Sequence, residues 1–173
     1  LNNEIEIIGV GTNPSDGLKK GSVVNIDKTI KSIKTSVDEA KLMAGVDIEN
    51  ASIGIAGSHI YSFDSTGVVA VRGKEITEDD IERVIEAAKA VVIPSDREIL
   101  HVIPQEYTID NAKGIKNPIG MCGVRLEAKV HVVTGAVSLI QNLVNCVEKA
   151  GVKSDKIILQ PLASSEAVIS PEE

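Results

Sequence analysis

Hydrophobic and polar positions in the first third of the chain follow a pattern typical of an α/β layer. Residues 4–10 alternate apolar and charged side chains before becoming apolar, which predicts a strand that ends at Gly11. Apolar residues then recur every three or four positions over residues 26–44, which predicts an amphipathic helix that stops before Gly45. Residues 51–56 are apolar and uncharged, as expected for a strand buried on both faces.

The middle of the chain has a different pattern, with more turns and one clear alternation. Residues 68–71 predict a strand, and residues 77–94 predict a helix that runs from a capping threonine to a terminating proline. A strand interrupted by a proline is predicted over residues 98–109, and the many glycines, prolines and asparagines of residues 110–123 predict a loop. Residues 125–133 alternate apolar and polar side chains, which predicts a strand with one buried face and one face toward water or a partner.

The last third returns to the pattern of the first. Apolar residues at helical spacing predict a helix over residues 137–150, followed by Gly151. Residues 156–159 predict a short buried strand. Either Ser164 or Ser165 caps a predicted final helix that extends through position 169.

These patterns together predict an α/β fold that carries an inserted module. Residues 1–57 and 135–173 share one hydrophobic pattern, in which amphipathic helices alternate with short apolar strands. They are predicted to form the α/β part. Residues 58–134 are predicted to form an α+β insert with the order strand, helix, strand, strand. The chain begins at Leu1 rather than at a methionine, and we expect it to be a piece of a longer protein.

Charge and cysteine content narrow the classes of function. The chain has 18 Lys and Arg residues against 25 Asp and Glu residues, a formal net charge of −7. Nucleic-acid binding needs clustered positive charge, so we expect no nucleic-acid partner. Cys122 and Cys146 are too few for a disulfide framework or a zinc site, and we expect both to be reduced and to act as small apolar residues. No basic and then apolar leader opens the chain, so we expect no secretory signal.

No motif along the chain assembles a catalytic or nucleotide-binding constellation. Glycines at positions 9 and 11 follow a predicted strand, but Pro14 stands where a dinucleotide fingerprint needs its third glycine. The P-loop and nucleophile-elbow motifs are absent from the sequence. His59, His101 and His131 lack the short spacing of zinc ligands, and we expect each to be structural. The residues alone therefore favour a binding or scaffolding role over an enzyme, with no metal and no cofactor.

The densest charge cluster lies around the start of the predicted middle helix and has two interpretations. Acidic residues in a first helical turn stabilise the helix dipole by about 0.3–1 kcal/mol each. The functional alternative is a docking surface for a basic peptide, in which charge complementarity speeds association and excludes wrong partners. The loop between this helix and the next strand adds further polar residues. The candidate partner contacts are Glu75, Glu78, Asp79, Asp80, Ser95, Asp96 and Arg97.

Six short sequence words resemble the FtsA family of bacterial cell-division proteins. They occur in family order along essentially the whole chain. A single short motif of this kind is weak evidence for a family, whereas six motifs in the same order are specific evidence. The words are GVG at residues 9–11, GLKKG at 17–21, HVIPQEY at 101–107, GIKNPIGM at 114–121, GVRLEAKVH at 123–131 and LASS at 162–165.

The resemblance implies a fold and a set of partners. The family has an actin-like ATPase fold of the ribonuclease H type, in which subdomain 1C, a strand-helix-strand-strand (SHS2) insert, interrupts subdomain 1A. This chain would then hold part of subdomain 1A at both ends and subdomain 1C between them. Members of the family tether FtsZ filaments to the cytoplasmic face of the plasma membrane at the division septum. They also bind other FtsA subunits and recruit later division proteins such as FtsN through subdomain 1C.

The resemblance also implies what this segment lacks. The family's phosphate loops, its FtsZ-binding subdomain 2B and its membrane helix match no residue here. We therefore expect ATP and Mg²⁺ to bind the longer protein, and we expect this chain to have no cofactor, no enzyme activity and no direct membrane contact. One alternative is an actin-like ATPase of the chaperone or sugar-kinase type. A pilus-assembly relative that shares the insert fits residues 101–107 and 114–121 less well.

Overall fold

The helices and strands divide the chain into two units. The computed structural model describes residues 6–169. Within that range, unit 1 consists of residues 6–59 and 136–169, and unit 2 consists of Ile60–Gly135. The elements in chain order are β1 (Leu18–Lys19), β2 (Ser22–Val23), α1 (Ile26–Ala44), β3 (Asn50–Ile55), β4 (Ile60–Ala70), α2 (Glu78–Lys89), β5 (Arg97–Ile109), β6 (Ala112–Ile115), β7 (Arg125–Ala136), α3 (Val137–Lys149), β8 (Lys153–Leu159) and α4 (Gln160–Val168).

Unit 1 contains a two-stranded parallel sheet. β3 and β8 pair in parallel, with Ile53 opposite Ile157 and Ile55 opposite Leu159. Ile53 and Ile55 are buried, as strands between two layers require. The helices α1 and α3 contact each other. The parallel α/β layer predicted for the two ends of the chain is confirmed.

Helix α1 has the predicted bounds for local reasons. The Asn25 side chain accepts a hydrogen bond from the Lys28 backbone N–H at 3.0 Å, which caps the first turn. Gly45 ends the helix in the left-handed region, with φ at 70°, a conformation that a side chain would strain.

The segment before α1 differs from the prediction. Residues 6–10 form no strand, and positions 4 and 5 of the predicted strand lie outside the described residues. The backbone instead runs along α1, where the Thr12 N–H donates to Glu39 Oε2 at 2.7 Å. A Cβ on Gly11 would lie 1.7 Å from the Ser36 carbonyl oxygen, so the close approach to α1 requires glycine. The predicted strand is therefore wrong over residues 6–10, because alternation alone does not supply the neighbouring strand that a strand must pair with.

Two further elements of unit 1 depart from the sequence prediction. A short antiparallel hairpin, β1 with β2, forms over residues 18–23, for which the sequence analysis predicts no element. Helix α4 begins at Gln160 rather than at a serine cap, because Pro161 is suited to a first helical turn. The Ser165 hydroxyl donates to the Leu162 carbonyl oxygen at 2.8 Å, so it lies inside the helix and does not cap it.

Unit 2 is a four-stranded sheet with one helix against it. The strand order is β4-β7-β5-β6, and β4 pairs with β7 along its full length, from Ile60 opposite Gly135 to Ala70 opposite Arg125. The alternation predicted for β7 is confirmed, since its apolar residues are buried in the core of the unit. These core residues of β7 are Leu126, Ala128, Val130 and Val132.

Two elements of unit 2 also differ from the sequence prediction. β4 is longer than the predicted strand at residues 68–71, because its polar first half pairs with β7 and exposes its outer face. β6 lies within the predicted loop and pairs with the end of β5, where Tyr107 lies opposite Ile115. A β-bulge or irregularity in this pairing hides the strand from an alternation pattern.

The close contact of α2 with the sheet depends on one glycine. A Cβ on Gly67 of β4 would lie 2.0 Å from the Val84 carbonyl oxygen and 2.6 Å from the Ala88 nitrogen. The Ser65 hydroxyl, also on β4, donates to the Ala88 carbonyl oxygen at 2.8 Å. These contacts place α2 directly over β4.

Candidate docking surfaces

The acidic start of α2 is built around a buried carboxylate. The backbone N–H and the hydroxyl of Thr77 donate to Asp80 Oδ2, at 3.2 Å and 3.0 Å. Arg83 Nη1 lies 2.6 Å from Asp80 Oδ1, and Arg83 Nη2 donates to the Ala70 carbonyl oxygen at 3.0 Å. The chain Thr77–Asp80–Arg83–Ala70 therefore ties the first turn of α2 to the end of β4.

Asp80 is ionised within this network. Burial by itself raises the pKa of the Asp80 carboxyl. The hydrogen bonds from Thr77 and the charge of Arg83 outweigh that effect, so its pKa lies below the ordinary value of 3.8. Asp80 is only 2% exposed, which corrects its assignment as a surface contact: the side chain holds the helix start and no partner can reach it.

The other acidic candidates at this end of α2 are exposed. Glu75, Glu78 and Asp79 all lie at the surface. Asp79 forms a long ion pair with Arg72 at 3.8 Å between two exposed side chains, and such pairs contribute little to stability. Their carboxylates are therefore available to a partner.

Arg97 has an internal role that the sequence did not indicate. Its Nε donates to Thr134 Oγ1 at 3.0 Å, and its Nη2 donates to the Thr134 carbonyl oxygen at 3.1 Å. The guanidinium also lies 5.7 Å from the centre of the Tyr61 ring. Arg97 thus holds the start of β5 to the end of β7, and its assignment as a candidate partner contact stays a prediction.

The predicted contacts form two separate patches. Glu75, Glu78 and Asp79 lie around the first turn of α2, whereas Ser95 and Asp96 are exposed in the loop after its last turn. Because α2 has 12 residues, about 18 Å of helix separates them. The fold does not bring the two groups together.

The outer face of β4 and β7 is polar. His131 Nδ1 lies 2.8 Å from Asp64 Oδ1, and Lys129 Nζ lies 3.8 Å from Asp64 Oδ2. The hydrogen bond with His131 lowers the pKa of the Asp64 carboxyl, with a smaller contribution from Lys129. These pairs are exposed and screened by water, so they solvate this face rather than stabilise the unit.

A groove between α2 and β5 is the feature that sequence reasoning missed. It is a cavity of about 400 Å³ lined by Ile85 and Lys89 of α2 and by residues 99–102 of β5. The sequence predicts the helix over residues 77–94 and the strand over residues 98–109, but no pattern in it indicates a groove between them.

The described residues hold no candidate metal site, since no three of their His, Cys, Asp or Glu side chains are arranged to bind an ion. Over the same residues, none of the helices is both long enough and apolar enough to cross a membrane.

Comparison with known proteins identifies the family. A family model described as the SHS2 domain inserted in FtsA matches residues 57–134. The cell division protein FtsA of Pseudomonas aeruginosa is 53% identical over 170 residues, which are 98% of this chain and 41% of that protein. The chain belongs to the FtsA family. FtsA of Borreliella burgdorferi is 52% identical over 175 residues, and FtsA of Escherichia coli is 41% identical over 169 residues.

The match to FtsA is a match to part of a longer protein. The chain spans about two fifths of the length of these relatives, 40% to 42%. A solved PilM-PilN type IV pilus biogenesis complex has a similar fold, with a TM-score of 0.55 and 15% identity over 89% of this chain and 40% of that chain. The predicted fold class is confirmed: the chain is a partial actin-like α/β subdomain with an inserted SHS2 module.

Proposed function

We propose that this chain is the segment of an FtsA-type division scaffold that carries the docking module, and that unit 2 is that module. The observation that carries the proposal is the 53% identity to a cell division protein along nearly the whole chain, together with the SHS2 match over residues 57–134. A general role in cell division follows from these relatives. The finer roles below are proposals.

The longer protein tethers FtsZ filaments to the cytoplasmic face of the plasma membrane at the division septum. Unit 2 contributes self-interaction with other FtsA subunits and recruits later division proteins such as FtsN. ATP and Mg²⁺ bind the longer protein through regions outside this chain. The chain itself neither hydrolyses nucleotide nor pellets with FtsZ filaments.

The physical support for a docking role is that unit 2 has an apolar face that forms its core and separate polar surfaces that are exposed. One face of its sheet packs on α2 around a closed apolar core that includes Val84, Tyr107 and Val130. The opposite face and both ends of α2 carry polar and charged side chains, which suit reversible contacts with a partner. An ATPase of the chaperone or sugar-kinase type is less well supported, because the relatives are named cell division proteins.

The test deletes unit 2 from the longer protein and joins the chain ends with a short Gly-Ser linker. Midcell placement of a fluorescent fusion should persist, because FtsZ binding lies elsewhere. Midcell recruitment of later division proteins should be lost. Normal recruitment by the deletion variant would contradict the proposal.

A finer test reverses charge at the exposed start of α2. Glu78→Lys with Asp79→Lys should weaken partner binding at low salt more than at high salt. Glu148→Lys with Asp155→Lys in unit 1 is the matched control, since both side chains are exposed and acidic. Equal partner affinity in both double variants would remove the acidic start of α2 from the proposal.

A further inference from the structure

The chain enters and leaves unit 2 at the same end of one pair of strands. The division into units lies between His59 and Ile60 and between Gly135 and Ala136. Ile60 and Gly135 are opposite each other, at the first pair of the ladder that joins the 11 residues of β4 to β7. We call this end of the ladder, at Ile60 and Gly135, the junction end. Both connections to the rest of the chain therefore leave the sheet from neighbouring strands.

The junction end is the place where this ladder would be expected to open first. The last pairs of a ladder have a paired neighbour on one side only, so they separate at a lower free energy than the pairs in the middle. Separation at the junction end would lengthen both connections at once. The neighbouring strand β5 also begins at this end, at Arg97, so three strand ends lie together there.

One guanidinium group links these three strands. Arg97 of β5 donates from Nε to Thr134 Oγ1 at 3.0 Å and from Nη2 to the Thr134 carbonyl oxygen at 3.1 Å, on β7. The Thr134 hydroxyl in turn donates to the Tyr61 carbonyl oxygen at 3.1 Å, on β4. The hydroxyl thus accepts one hydrogen bond and donates another, which uses both of its capacities. We call Arg97, Thr134 and Tyr61 the junction network.

Burial makes the junction network costly to break. Thr134 is only 1% exposed, so water does not readily replace a lost partner of its hydroxyl. The Arg97 guanidinium carbon lies 5.7 Å from the centre of the Tyr61 ring, which adds a cation–π contact. The Tyr61 ring is itself 6.3 Å from the Phe63 ring, centre to centre. Because the three residues share their hydrogen bonds, the loss of one member weakens the others.

We propose that the junction network is a conformational device that keeps β4 and β7 paired up to the boundary of unit 2. While it is intact, both connections leave the sheet from fixed, adjacent positions. When it is broken, the pairs at the junction end separate while the rest of the sheet stays folded. A displacement of either connection is therefore passed to unit 2 as a whole and is not absorbed by separation of the strand ends. The inference does not depend on the docking role proposed for unit 2.

The direct test compares two substitutions of Thr134 in the 173-residue chain by amide hydrogen exchange. Thr134→Val is similar in shape and removes the hydroxyl, whereas Thr134→Ser keeps it. In Thr134→Val, we expect the ladder-bonded amides of residues 60–63 and 132–135 to exchange about tenfold faster or more, and those of residues 67–70 and 125–128 to change by less than about twofold. In Thr134→Ser, both sets should stay within about threefold of the wild type.

Substitution of Arg97 tests the same device from β5. Arg97→Lys keeps the positive charge but cannot form both hydrogen bonds in the fixed geometry of a guanidinium group. It should speed exchange at the junction end as Thr134→Val does. Adding it to Thr134→Val should have little further effect, because both substitutions break one network. Arg72→Lys is the matched control, since Arg72 is exposed and pairs only loosely with Asp79 at 3.8 Å.

Three results would overturn the proposal. These are unchanged exchange at the junction end in Thr134→Val, acceleration spread evenly along the ladder, and equal effects of Arg97→Lys and Arg72→Lys. Even acceleration would mean that the network adds to the general stability of unit 2 and does not hold its junction end. If the device fails while deletion of unit 2 still abolishes recruitment in cells, the docking function stands without it. If exchange behaves as expected while recruitment survives the deletion, the device stands and the division role of unit 2 fails.

Discussion

Replacing Asp80 with alanine should destabilise unit 2 by about 2–4 kcal/mol, because one carboxylate satisfies three donors. Loss of a helix cap costs about 0.5–2 kcal/mol. Removal of one partner from a fully buried ion pair costs about 3–5 kcal/mol. The Arg83 side chain is 26% exposed, so water compensates part of the second cost and the sum stays near the middle of these ranges.

Tyrosine fluorescence offers an assay that is specific to unit 2. The chain has two tyrosines, Tyr61 and Tyr107, and no tryptophan, and both tyrosines lie in Ile60–Gly135. Urea unfolding followed by this signal reports unit 2 even if unit 1 unfolds separately. Asp79→Ala is the matched control, because the Asp79 carboxylate is next to Asp80 in sequence but is exposed. This substitution should cost less than about 0.5 kcal/mol of stability.

The double variant Asp80→Ala with Arg83→Gln sharpens the test. If the two side chains act as a pair, the double variant should cost less than the two single variants together. A cost for Asp80→Ala below about 0.5 kcal/mol, or equal to that of Asp79→Ala, would refute the reasoning about the buried network.

Three other predictions follow from the packing and the pKa direction. The stability that Asp80 contributes should be complete above its unfolded pKa, near 3.8, and should be lost as pH falls through its lower folded pKa; urea midpoints of the wild type and Asp80→Asn that fail to converge in acid would contradict this. Gly67→Ala should cost at least about 2 kcal/mol by the same fluorescence assay, because its Cβ would meet the Val84 carbonyl, while Gly73→Ala, with its nearest atom at 3.6 Å, should be nearly neutral. Gly11→Ala should displace the segment before α1 and speed hydrogen exchange of the Thr12 amide at least tenfold; exchange that matches a Gly54→Ala control would contradict this.

Local patterns in the sequence were sufficient for most helices and for the architecture. The signals that define α1 are all local: an apolar stripe, Asn25 at the N-cap and Gly45 at the C-cap. Helix α1 therefore has the bounds that its own residues predict. The alternation along β7 predicts which face is buried, because successive side chains of any strand point to opposite faces. The change in the hydrophobic and polar pattern along the chain predicts an insert at residues 58–134. The structure divides at Ile60 and Gly135.

The candidate site depended on contacts between residues that are distant in sequence. In the sequence, Asp80 cannot be distinguished from the exposed acidic residues beside it. Only the structure shows that Arg83 links Asp80 to the Ala70 carbonyl oxygen. Arg97 reads as a loop charge until β7 brings Thr134 to it, 37 residues away. No local period encodes such pairs, because their geometry is set by which strands become neighbours.

The same reason explains the segment before α1 and the pairing of β5 with β6. Local patterns predict strands over residues 4–10 and 98–109, but whether a strand forms, and whether it has one neighbour or two, depends on the rest of the sheet. Side-chain periodicity is a property of the local backbone and is written in the sequence. Hydrogen-bond partners, burial and edges are properties of the assembled layers, and they arise only when distant segments pack together.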